Sequence, residues 1–117
     1  MDNDHSEFFD QILTRNLKES ERIFEKIVIE EKIDSEWKEG YRKALEGLLL
    51  TIKPNSEKYL FFTKKFNEDN VIKLHKEFKA HTENSLHAEF DRGYFSALLD
   101  YIIILEKNKP WKKQKEG

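Results

Sequence analysis

A ten-residue pattern occurs twice in this chain, and each time it places a glycine inside a stretch that otherwise reads as helix. Glu36, Gly40, Tyr41, Ala44 and Leu45 recur 53 residues later as Glu89, Gly93, Tyr94, Ala97 and Leu98, with Trp37 matched by the aromatic Phe90. The same offset, without a gap, lays Phe8 and Phe9 over Phe61 and Phe62. It predicts two tandem helix-turn-helix repeats, residues 8–53 and 61–106, related by pseudo-twofold symmetry. Glycine in a helix interior costs roughly 1 kcal/mol relative to alanine, so glycines at equivalent places in two strongly patterned helices call for a packing reason. Close approach of a neighbour is the simplest.

Gly40, Ala44 and Gly47 stand at steps of four and three, as do Gly93, Ala97 and Asp100, which gives each helix a small-residue notch on one face. Two packing readings follow. The notches meet across a twofold axis within the chain, or each receives a bulky neighbour such as Tyr41 or Tyr94. The functional reading is a ligand or partner helix in the notch, beside the repeated aromatic positions Trp37, Tyr41, Phe90 and Tyr94. Packing is the reading preferred.

Apolar periodicity supplies the other elements. Phe8, Ile12, Leu13, Leu17, Ile23, Phe24, Ile27 and Val28 recur at three- and four-residue steps, which predicts one amphipathic helix over about 5–31, with Asn16 and Ser20 as a place to bend. Asp34 and Ser35 cap a second helix that Pro54 stops. Asn55 and Ser56 cap a shorter third carrying Tyr59, Leu60, Phe62 and Phe66, although residues 59–66 also suit a strand. Asn67–Asn70 reads as a turn or a cap before a fourth helix running to about 81, and Asn84 or Ser85 starts a fifth that ends near 107. The expected fold is all-α, a four- to five-helix bundle in a single domain over 1–107, with helices 34–53 and 85–107 at its centre and a basic tail over 108–117.

Composition permits that fold and narrows the chemistry. Of 117 residues, 33 are Leu, Ile, Val or Phe, enough for a core. Lys and Arg number 21 against 23 acids, a net charge of −2 that exerts no global pull on nucleic acid. Without cysteine there is no disulfide framework, thiolate zinc site or cysteine nucleophile. The N-terminal residues are acidic and polar, unlike a secretory signal, and no apolar run approaches a membrane span, so the expectation is a soluble cytoplasmic protein that does not engage membrane.

No motif names a reaction. His75, His81 and His87 are spaced by six, which on one continuous helix turns successive rings away from each other. Glu77 with His81 and Glu83 with His87 are two-ligand pairs that a break near 83 would bring together, but a third ligand is missing. Surface histidines bonded to carboxylates are the simpler reading. The acid pairs Glu7/Asp10, Glu31/Asp34 and Glu36/Glu39 are of a kind that arises by chance among 23 acids. Lys53, Lys58, Lys64, Lys65, Lys73, Lys76 and Lys79, with five lysines and Trp111 in 107–117, form the only basic concentration.

Three functions from different classes fit these residues. The favoured one is a non-enzymatic interaction or scaffold module acting through a homodimer, since Leu48, Leu49 and Leu50 and the run Ile102–Leu105 place apolar residues on more than one face of each central helix. A nucleic-acid accessory protein needs the middle and tail lysines on one face. A metal-dependent hydrolase needs three of Glu77, His81, Glu83, His87 and the remaining acids to converge. The sequence calls for no cofactor, metal or catalytic residue.

Overall fold

A computed structural model of the chain describes residues 3–53 and 66–111. They form five helices and no strand: α1 (Asn3–Leu13), α2 (Leu17–Glu30), α3 (Glu36–Thr51), α4 (Glu68–Glu83) and α5 (Glu89–Asn108). The all-α bundle is as expected. The third predicted helix, with its strand alternative, the match of Phe61 and Phe62 to Phe8 and Phe9, and the end of the basic tail fall outside the described residues.

The first predicted helix is two. The carbonyl of Gln11 accepts from the Asn16 amide and that of Ile12 from the Arg15 amide, while Arg15 takes a left-handed conformation with φ 58°. This is the crossed pair of bonds with which a helix closes its C-terminus, here with arginine where glycine is usual. Asn16 then caps α2, its side chain accepting from the Glu19 amide. Because the chain reverses, the rings of Phe8 and Phe24 lie 6.0 Å apart and Lys26 reaches Asp4 at 3.3 Å. On one straight helix Phe8 and Phe24 would be about 24 Å apart.

Ser35 caps α3 by accepting from the Lys38 amide. Asn67 and Asn70 exchange side-chain and backbone bonds in a capping box at the start of α4, so the 67–70 segment is a cap. Helix α5 begins later than expected, with Ala88 as its first flanking residue and no side-chain cap. Asn84 is spent on the connection, where its side chain accepts from the Leu86 amide. Helices α4 and α5 run antiparallel: His75 pairs with Glu106, and Phe78 stacks near Phe95 at 5.9 Å.

Helices α3 and α5 make the most extensive contact in the molecule, and the glycines explain how. A Cβ built on Gly40 would lie 1.9 Å from the carbonyl oxygen of Phe90, and one on Gly93 would lie 1.9 Å from that of Trp37. Each helix thus rests its backbone on the other's glycine, with a Cα hydrogen facing a carbonyl oxygen. An antiparallel pair in this register would leave Asp100 about 16 Å beyond Tyr41. The Tyr41 hydroxyl instead donates to Asp100 Oδ2 at 2.6 Å, so the two helices run side by side in the same direction. Their N-terminal dipoles therefore add, and Glu36, Glu39, Glu89 and Asp91 in the first turns offset the positive ends.

The core gathers Phe8, Phe9 and Ile12 of α1, Ile23 and Ile27 of α2, Ala44, Leu45 and Leu48 of α3, Val71 and Phe78 of α4, and Ala97, Leu98, Ile102 and Leu105 of α5. The two buried hydroxyls are satisfied locally: Ser20 donates to the Asn16 carbonyl at 2.7 Å and Thr51 to that of Leu48 at 2.6 Å. Trp111 folds back against this core.

Burial also pushes the Tyr101 hydroxyl up to about 12. An unfolded tyrosine ionises near 10. Because the folded value is the higher one, this contribution to stability is complete below pH about 10 and is lost as pH rises to about 12. Urea midpoints measured across that range are expected to fall more steeply for the wild type than for Tyr101→Phe.

Candidate functional site

The sequence-derived candidates meet where α3 and α5 begin. Gly40, Ala44, Gly93 and Ala97 are buried, whereas Gly47 is half-buried and takes no part in the two glycine contacts. The space at Gly40 and Gly93 is filled by the opposing helix backbone, so no ligand fits there. Neither glycine receives Tyr41 or Tyr94.

Around this crossing the aromatic residues form a ladder. Trp37 and Tyr41 stack at 5.3 Å, and Tyr41 stacks on His5 of α1 at 4.9 Å. His5 pairs with Glu31, whose carbonyl accepts from Arg42 at 2.7 Å. Two pairs, His5 with Glu31 and Tyr41 with Asp100, tie α1, the α2–α3 connection and the two central helices to one another. Phe90 and Tyr94 are half-buried, and Tyr94 packs edge-on against Phe95 at 5.8 Å.

The outer rung of the ladder reaches solvent. Trp37 is 37% exposed, and Val28, Ile33 and Ile29, the last 82% exposed, lead up to it from α2 through the connection. Leu86, 93% exposed, lies in the segment leading into α5. Since α3 and α5 start side by side, both leading segments emerge at the same end of the bundle. This strip was not picked out from sequence, yet a signal exists: Ile27, Val28 and Ile29 are consecutive and fan over about 200° of a helix, so they cannot all face one core.

The residues offered as the reason for a homodimer are mostly hidden within one chain. Leu48, Leu49, Ile102, Ile104 and Leu105 are buried, and Leu50 and Ile103 are half-buried. Helices α3 and α5 are covered on several sides by α1, α2, α4 and each other. A dimer cannot be argued from these runs.

Among the described residues no group of three His, Asp or Glu could hold a metal ion, so Glu77, His81, Glu83, His87 and the acid pairs do not supply the set a metal-dependent hydrolase requires. Helix α4 does stop at Glu83, however, and the break brings His81 Nδ1 to 3.0 Å from His87 Nε2. A cavity of about 170 Å³ between Glu68, Val71, Ile72, Glu106, Lys109 and Trp111 is small beside the 300–1,000 Å³ of ordinary ligand pockets. Lys73, Lys76 and Lys79 are exposed on α4, while Lys58, Lys64, Lys65 and Lys112, Lys113 and Lys115 lie outside the described residues. No described helix is long and apolar enough to cross a membrane. Comparison with protein-family models, curated proteins and solved structures finds no match to this chain.

Proposed function

We propose that the protein is a non-catalytic interaction module that pairs with a second copy of itself through the end of the bundle where α3 and α5 begin. The observation that carries this reading is the strip Val28, Ile29, Ile33 and Trp37, joined at the same end by Leu86; among the described residues the one other large apolar side chain so exposed is Ile72 on α4. Trp37 suits an anchor: its backbone is held against Gly93 and its ring against Tyr41, so little freedom is lost on binding. Charges of both signs are interleaved with the strip along the chain, Lys32 and Lys38 among Glu30, Asp34 and Glu36, which suits a self-complementary twofold contact.

Light scattering after size exclusion is expected to give twice the chain mass of 14.1 kDa at micromolar concentration. Ile29→Glu is expected to return the single-chain mass with an unchanged circular dichroism spectrum. A wild type that stays at the single-chain mass up to about 100 µM removes self-association as the function.

We infer as well that α2–α3 and α4–α5 are two copies of one unit. Helix α2 ends at Glu30 and α3 begins at Glu36, and 53 residues on, α4 ends at Glu83 and α5 begins at Glu89. The glycine contacts agree with this, because Gly40 on Phe90 becomes Gly93 on Trp37 when the copies are exchanged. Packing within the units differs, since α4 lies closely along α5 whereas α2 touches α3 more lightly.

A further inference from the structure

We propose that His81 and His87 form a two-nitrogen site for a divalent ion of the Ni²⁺ or Cu²⁺ type. His81 stands in the last turn of α4 and His87 in the connection to α5. Their facing nitrogens, Nδ1 and Nε2, are 3.0 Å apart. Metal–imidazole bonds of 2.0–2.1 Å spanning that gap meet at about 94°. This is the angle between neighbouring ligands in the tetragonal sets that Cu²⁺ and Ni²⁺ prefer, and it is tighter than the tetrahedral angle of Zn²⁺.

The surroundings hold the pair in place. The His81 ring stacks on Phe95 at 4.3 Å, and the His87 ring lies 6.3 Å from the same phenyl group. The His87 amide donates to the Asn84 carbonyl at 3.1 Å, which fixes the connection behind the ring. The site lies at the carbonyl end of α4, where the helix dipole favours a cation. Arg92 is a nearby positive group, and its guanidinium is turned to the Thr82 carbonyl at 3.3 Å. On binding, the hydrogen shared between the two rings moves to an outer ring nitrogen. Both inner lone pairs then turn to the ion as the two rings tilt about the 3.0 Å gap between their nitrogens. Water fills the remaining positions, so the ion is held openly and exchanges readily.

The test is a titration of the full chain with Ni²⁺ alone, followed by calorimetry and by the histidine ring signals in proton NMR. One equivalent is expected, with the His81 and His87 signals broadening before those of His5 and His75. His87→Gln is expected to lower the affinity about tenfold or more, while His75→Gln, which alters only the pair with Glu106, leaves it unchanged. His81→Gln serves as the second variant, with circular dichroism to verify its fold. Equal broadening of all four histidines, unchanged affinity in His87→Gln, or no binding below about 1 mM would each overturn the site.

Discussion

Gly93→Ala is expected to destabilise the protein by about 3 kcal/mol or more in urea denaturation, against the sign that helix propensity alone would give. In an unconstrained helix the added methyl would stabilise by roughly 1 kcal/mol. Here it would lie 1.9 Å from the Trp37 carbonyl oxygen and 2.7 Å from its carbon, and a helix backbone cannot swing aside as the tip of a long side chain can. The helices must separate, which loosens Ala44, Ala97, Leu45 and Leu98 along the same seam and strains the Tyr41–Asp100 bond. Gly40→Ala meets the Phe90 carbonyl at the same distance and is expected to cost a similar amount. The double variant is expected to lose less than the two single losses combined, because the first methyl already opens the gap that the second needs. Single variants as stable as the wild type would mean that the helices do not touch at these glycines.

The seam was legible because its cost is written in the sequence: a glycine repeated at the same place in two patterned helices calls for close approach, as Gly40 and Gly93 show and the unrepeated Gly47 does not. What the glycines would meet was not legible, since the partner is a backbone carbonyl and carries no residue signature. The break between α1 and α2 was legible only as a bend at Asn16, because Ile12, Leu13 and Leu17 keep helical spacing across it and the residue that turns the chain is Arg15, with φ 58°, not glycine. The meeting of His81 with His87 was legible as one of two alternatives, the one that needed a break near residue 83. A six-residue step separates two rings only while the helix continues, and α4 ends between them. The apolar runs at 48–50 and 102–105 suggested an outer partner because they cover several sides of each helix, but a central helix has neighbours on several sides.

Adjacent Phe8 and Phe9 are both fully buried, although successive helical residues point about 100° apart, so α1 must be wedged between two neighbours. Phe8 packs against Phe24 of α2 at 6.0 Å and Phe9 against Tyr101 of α5 at 5.9 Å. Truncating either to alanine is expected to cost about 3–5 kcal/mol, through lost burial and the cavity left behind. The two variants separate in their alkaline titration. Phe9→Ala opens the wall of the Tyr101 site to water and is expected to bring that hydroxyl down from about 12 toward the ordinary tyrosine value near 10, read from tyrosinate absorbance. Phe8→Ala weakens the α1–α2 hairpin on its other side and is expected to leave Tyr101 titrating as in the wild type. If both variants shifted Tyr101 equally, α1 would detach as a unit from α2 and α5 together. If neither variant were destabilised, the placement of α1 between them would be wrong.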